Sequence, residues 1–288
     1  MVQYELKKIG SFDDFAEQVS FFARTAAGYR ADFLLFPELL TTQLFTYLSF
    51  ENSSAASKLA ELTPQYIELF ARLSRETKTY IIAGSQLCEE DGKLYNISYF
   101  FDRSGRSNKQ YKLHITPHEK DVWNVQSGDF VQVFDTDRGK IAVLICYDIE
   151  FPELSRIAAN KGARIIFVPS NTDQRCGYLR VRYCAQARCI ENQVYVAVSG
   201  CTGNMPMGAG GGEIHYAQSA IFTPSDLPFA QEAVAAQCAE NVETMIIQDV
   251  DLDLLEHNRE KGAVCPWHDR RPDLYQLHYR DEKGPQTM

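Results

Sequence analysis

Five apolar residues in a row, Ile141, Ala142, Val143, Leu144 and Ile145, end abruptly in Cys146, and the mixed stretch Tyr147, Asp148, Ile149, Glu150 follows. A run with no polar residue has no wet face, so it reads as a strand covered on both sides, as in sheets flanked by helices. The chain then turns toward a helix, which puts the sulfur at a strand's carboxyl end, where open α/β sheets bind ligands. Two other strand-like runs also end in reactive groups: residues 33–37 lead to Glu38, and residues 110–111 lead to Lys112. A thiol, a carboxylate and an ammonium at three strand ends make a complete set for covalent acyl transfer.

The rest of the pattern sets these runs in an α/β chain. Residues 2–9 read as a first strand. Ser11 is a helix cap followed by Asp13 and Asp14, and Phe15, Val19, Phe22 and Ala26 recur at helical spacing until Gly28. Residues 57–78 read as a second amphipathic helix interrupted by Pro64. Strands are expected at 79–85, 96–102 and 107–112, and as a hairpin at 131–135 and 140–146. Helix 151–161 closes on Gly162, and strand 164–169, helix 178–192 and strand 194–199 follow. Later strands fall at 219–223 and 244–250, with a helix at 252–260. Hairpins interrupt the alternation of strand and helix, so the expectation is a mixed sheet system covered by helices. A single domain is expected over 1–280, with 281–288 as a disordered tail. The glycine-rich residues 208–212 lack the strand–loop–helix setting of a phosphate loop and read as a flexible surface loop.

Charge narrows the partners. Of 288 residues, 29 are Lys or Arg and 38 are Asp or Glu, a net charge of −9. A nucleic-acid surface needs clustered excess cations, and anionic membranes need the same, so neither partner is expected. No apolar stretch approaches the length of a membrane span, and the start of the chain carries no apolar leader core. The eight cysteines form no CxxC pair and no zinc-finger spacing with His. Free thiols in a reducing cytoplasm are the expectation, with no metal and no organic cofactor.

A thiol is mostly protonated at neutral pH and needs a base. Glu38, directly after Pro37 and a buried strand, would be partly desolvated and its pKa raised toward a useful value. Lys112 would hold the oxyanion that forms on attack, and the backbone N–H of Tyr147 would be a second donor. Each residue also has a plainer reading on its own: a buried core thiol for Cys146, a solvated or ion-paired acid for Glu38, a surface ammonium for Lys112. A non-catalytic binding protein is a second reading. A thiol redox protein is a third, although no resolving Cys lies near Cys146 in the chain; Cys176 or Cys201 could approach only through folding.

Taken jointly, the motifs resemble the nitrilase, or carbon–nitrogen hydrolase, superfamily along nearly the whole chain. They are Phe36-Pro37-Glu38, Tyr111-Lys112-Leu113-His114, Ile145-Cys146-Tyr147-Asp148 with Phe151-Pro152-Glu153, the segment 188–196, and Arg271-Pro272-Asp273-Leu274-Tyr275. The resemblance implies a four-layer αββα sandwich that pairs with a second copy as a homodimer or higher oligomer. It implies Glu38 as base, Lys112 as oxyanion holder and Cys146 as nucleophile. Many members use a second glutamate soon after the lysine, which here is Glu119, expected to orient Lys112. The opening elements resemble the branch sometimes fused to an acetyltransferase domain.

Nitrilases proper tend to carry Cys-Trp-Glu, whereas this chain has Cys146-Tyr147-Asp148. The resemblance therefore favours a small linear amide as substrate, with an N-carbamoyl amine or a nitrile as alternatives. Many amidase-type members place Arg four residues after the Cys, where this chain has Glu150. That residue either selects a cationic substrate or serves the following helix and a nearby Arg. Asn171 and Thr172, after the next strand, and Trp123 complete the expected substrate-binding set, with Tyr47 and Tyr178 as further candidate walls.

Overall fold

The computed structural model describes residues 1–48, 55–207 and 211–288. Of the loop expected at 208–212, residues 208–210 lie outside that set. The first half of the chain gives β1 (Val2–Glu5), α1 (Phe12–Gly28), β2 (Phe33–Leu35), a 3-10 segment (Leu40–Thr46), α2 (Ala55–Ala60), α3 (Thr63–Thr77), β3 (Tyr80–Ile82), β4 (Gln86–Glu90), β5 (Lys93–Phe101), β6 (Ser107–Tyr111), α4 (Pro117–Asp121) and β7 (Val125–Gln126). The second half gives β8 (Val133–Thr136), β9 (Gly139–Val143), a 3-10 turn (Cys146–Glu150), α5 (Pro152–Asn160), β10 (Ile165–Ser170), α6 (Arg175–Asn192), β11 (Tyr195–Met207), β12 (Gly211–His215), β13 (Ala220–Phe222), β14 (Val234–Gln237), β15 (Thr244–Met245), α7 (Leu252–Lys261), β16 (His278–Asp281) and β17 (Gly284–Thr287).

Two mixed sheets lie face to face. One, built around β2-β3-β5-β4 with β6 and β7, has six strands; the other, built around β14-β13-β11-β10-β9-β8 with β1, β12 and β15, has nine among the described residues. Strand periodicity sorts the side chains into layers. In β2 and β3, Leu35, Tyr80 and Ile82 join the cluster shared with the second sheet. Leu34, Phe36, Ile81 and Ala83 join the cluster under α1 and α3. The sheets touch through Phe33–Phe167 at 5.3 Å and Phe100–Phe134 at 5.1 Å between ring centroids. On the far side, Leu154, Ile157 and Ala158 of α5 and Val181, Ala185 and Cys189 of α6 pack over the second sheet. The order helix, sheet, sheet, helix is the expected αββα sandwich.

The interruption expected at Pro64 is a full break: α2 ends at Ala60, and α3 starts anew with Pro64 in its first turn, where a missing N–H costs nothing. Two expectations need correction. The strand at 244–250 shrinks to Thr244–Met245, the part that pairs with β1. The end of the chain is ordered: β16 and β17 pair antiparallel around Gly284, whose φ of 101° suits a glycine turn. Leu277 and Met288 exchange backbone hydrogen bonds of 2.9 and 3.0 Å and pack against the core.

Candidate active site

Four strands point their carboxyl ends at one place. Glu38 follows β2 and Lys112 follows β6, from one sheet; Cys146 follows β9 and Asn171 follows β10, from the other. The approach of β2 requires a glycine next door: Gly84 has φ +76°, and a Cβ there would lie 2.0 Å from the Pro37 carbonyl oxygen. Cys146 itself has φ 47°, in the left-handed region, and opens the short 3-10 turn. Glu38, Lys112, Glu119 and Cys146 are all buried.

Lys112 Nζ donates to Glu38 Oε1 at 2.7 Å and to Glu119 Oε2 at 2.5 Å. An ammonium has three donors, so one is left over among the described residues. The other Glu38 oxygen accepts the Asn171 backbone N–H at 3.1 Å, and the Glu38 charge acts on the Cys146 thiol. Ser170 Oγ lies 3.2 Å from Cys146 Sγ, and the thiol reaches the Asn171 carbonyl at 3.8 Å. The sulfur, acid and amine expected from three distant segments are thus brought together.

Electrostatics sets the two glutamates apart. Burial pushes the Glu38 carboxyl above the usual carboxylate range, and the Glu119 charge adds to this against the pull of Lys112. Burial would raise Glu119 too, but the Lys112 charge and hydrogen bonds from Lys112, Asn96 and Thr116 outweigh it and hold Glu119 low. For Lys112, burial alone would lower the ammonium; Glu38 and Glu119 overcome it and raise the pKa instead. Burial and the Glu38 charge push the Cys146 thiol well above its ordinary value. The resting arrangement is therefore a protonated thiol, an ionised Glu119–Lys112 pair, and a Glu38 poised to exchange a proton. Carboxyl groups whose environments drive their pKa values apart take different chemical roles.

Several residues that hold this arrangement were not singled out from the sequence. Asn96 on β5 is fully buried, and its Nδ2 donates to Glu38 Oε1 at 3.0 Å and to Glu119 Oε1 at 2.8 Å. Thr116 caps α4 and donates Oγ1–H to Glu119 Oε2 at 2.8 Å while the Glu119 N–H returns to Thr116. That capping box, Thr116-Pro117-His118-Glu119, was a readable signal. Asp148 is fully buried and accepts N–H groups from His114 at 2.8 Å, Leu113 at 3.2 Å and Ile145 at 3.3 Å. It fastens the loop after Lys112 to the turn before Cys146. Arg188 on α6 supports the far end of that turn, donating to the carbonyls of Ile149 at 3.0 Å and Glu150 at 2.9 Å.

Of the expected substrate-binding residues, only Asn171 meets the reacting groups through the contacts just described. Glu150 has its carboxylate 3.4 Å from Arg180 Nε, so it serves a nearby Arg. Thr172 Oγ1 donates to the Tyr216 carbonyl at 2.9 Å. Trp123 lies edge-on to His118, ring centroids 4.9 Å apart, at the margin of the outer cluster. Tyr47 packs at the same margin, and the Tyr178 hydroxyl lies 3.2 Å from Gln218 Oε1. Tyr147 packs edge-on against Phe151 at 5.0 Å and is the second residue of the 3-10 turn. Among the described residues, no three His, Cys, Asp or Glu side chains gather as metal ligands would, and no helix is long and apolar enough to cross a membrane.

Residues 1–260 match the carbon–nitrogen hydrolase family. The chain belongs to that family. This carbon–nitrogen hydrolase is 51% identical over 281 residues to the probable hydrolase YhcX of Bacillus subtilis, covering 97% of the chain but 55% of that protein. The chain thus spans about half the length of that relative. It is 32% identical over 218 residues to the omega-amidase NIT2-A of Xenopus laevis, covering 73% of the chain and 74% of the relative. In fold it is similar to Saccharomyces cerevisiae Nit3, a member of branch 10 of the nitrilase superfamily, with a TM-score of 0.71 at 22% identity over 90% of this chain and 92% of that one. Its nitrilase-type sandwich is the one the motifs implied.

Proposed function

We propose that this hydrolase cleaves a small linear amide through a thioester on Cys146, with Glu38 as base, Lys112 as oxyanion holder and Glu119 keeping Lys112 charged and oriented. One observation carries the reading: two buried glutamates share Lys112, and the Asn171 peptide touches both the thiol and the glutamate whose pKa is raised. Glu38 takes the thiol proton as sulfur attacks the amide carbon. The oxyanion settles on the third N–H of Lys112 and the backbone N–H of Tyr147. Glu38 passes its proton to the departing ammonia or amine, then draws a proton from water as that water attacks the thioester, and hands it to the departing Cys146 sulfur. The proton lost with the amine is thus replaced by one from water, and the thiol and the Glu38 carboxylate are restored.

The relatives support the amide within this class, since one carries the name omega-amidase. The pairing of Glu150 with Arg180 removes the reason to favour a cationic substrate. We extend the proposal to a homodimer, supported by Tyr183 and Ile190, which stand 61% and 42% exposed on α6, and to a reducing, cytoplasmic setting, supported by eight free cysteines. The greater length of the Bacillus relative accords with the branch that carries a fused acetyltransferase domain.

The test is Cys146→Ala against the parent on a panel of short primary amides, reading ammonia release beside far-UV circular dichroism. The expected outcome is loss of release with the fold intact. A folded variant that keeps parental turnover sinks the proposal. Mass spectrometry should also find an acyl adduct on Cys146 of the parent.

A further inference from the structure

We infer that His215 is a positioning residue, holding through Asn171 the two groups that exchange the proton; the inference rests on the acyl-transfer reading above. Asn171 has an unusual share of the site. Its N–H donates to Glu38 Oε2 at 3.1 Å and its carbonyl faces the Cys146 thiol at 3.8 Å. One peptide segment therefore touches both the base and the nucleophile. Yet the sheet does not hold that segment: the parallel pairing of β10 with β11 ends at Ser170 opposite Gly200, and α6 starts only at Arg175. Some other contact must fix Asn171.

The end of β12 supplies it. His215 is buried, 6% exposed, and its Nδ1 lies 2.8 Å from Asn171 Oδ1. The amide oxygen only accepts, so Nδ1 carries the proton. The next residue continues the clamp. Tyr216 N–H donates to the Thr172 carbonyl at 2.8 Å, and Thr172 Oγ1 donates to the Tyr216 carbonyl at 2.9 Å. Three hydrogen bonds thus splint residues 171 and 172 to residues 215 and 216, and β12 is itself held in register by Gly203 opposite His215 on β11. The backbone clamp at Thr172 sets the loop's height. The His215 bond sets the rotation of Asn171, and with it the aim of the N–H at Glu38.

His215→Leu removes the donor at similar volume, and His215→Asn restores an N–H close to the place of Nδ1. Two readouts apply: kcat and KM for ammonia release from the short-amide panel, and the rate of Cys146 alkylation by iodoacetamide, followed by peptide mass spectrometry. His215→Leu is expected to lower kcat and the alkylation rate by about tenfold, the worth of one aiming hydrogen bond, with KM nearly unchanged. His215→Asn should recover most of both. Because His215 acts through Asn171, His215→Leu combined with Asn171→Ala should be no slower than the slower single variant. Should the leucine variant not fold, His215→Gln, whose amide sits one methylene further out, takes its place with the same expectation.

A folded His215→Leu with parental kcat and alkylation rate overturns the inference. So do effects at 215 and 171 that multiply, or an Asn variant no better than Leu. If the parent itself releases no ammonia and its Cys146 reacts no faster than the other cysteines, the acyl-transfer reading has failed, and that is visible before any variant is compared.

Discussion

Asn96 gives one N–H to each of two carboxyl groups, and Lys112 does the same from the other side. The glutamates are therefore tied together, and changing one must move the other. The Glu119 charge is among the causes that raise Glu38. Glu119→Gln should accordingly let the Glu38 pKa fall. Since Glu38 must be ionised to accept the thiol proton, the acidic limb of the pH–rate profile rises with pH through its raised pKa, and in the variant that limb should shift to lower pH. At the plateau kcat should still drop, by roughly tenfold or more, because Lys112 loses the partner that orients it. An unmoved limb would mean the two acids are not coupled. The residues with chemistry at strand ends were legible in the sequence: Glu38 and Cys146 because each closes an apolar run, and Lys112 because it ends a strand-like run inside a motif that resembles the family's. The roles of Asn96 and Asp148 were not: Asp148 stands in the Cys146 motif and Asn96 at the start of an expected strand, but what each holds exists only when segments distant in sequence meet.

Elements carry the site by their ends, and the ends are tied crosswise. Asp148 links the β6–α4 loop to the turn after β9 by accepting three backbone N–H groups. Asp148→Ala leaves those donors buried without partners, at about 1–3 kcal/mol each. The expected result is a loss of roughly 3 kcal/mol or more in urea unfolding, with slower Cys146 alkylation in the remaining folded protein. A variant as stable as the parent would show that water or a shifted backbone replaces the carboxylate. The long apolar strands were readable for the reason the element is stable at all, namely burial on both faces. β4 escaped because Gln86, Cys88, Glu89 and Glu90 offer no apolar run and gain their order from pairing with β5. β11 runs past the expected end at Ser199 to Met207, because β1 and β12 pair with its extension. Such pairing depends on residues far along the chain and leaves no local mark.

At the scale of the molecule, the two sheets share one inner cluster, so they should unfold together. Two tryptophans report on them: Trp123 beside the first sheet's outer cluster and Trp267 beside the inner core's margin. Removing each in turn with Phe should leave single-tryptophan proteins whose urea midpoints coincide, and Phe167→Ala, which breaks the contact with Phe33, should lower both midpoints by the equivalent of about 3–5 kcal/mol. Separate midpoints would mean that the layers melt independently. The nucleophile offers a last comparison of the same kind. Residue 146 sits at φ 47°, a shape in which any side chain crowds the backbone and glycine does not. Cys146→Gly should therefore melt at a temperature no lower than Cys146→Ala, although it discards the only side-chain atoms left at that bend. A working enzyme of this build keeps its thiol against the preference of its own main chain, and a copy released from catalysis would be free to relax there.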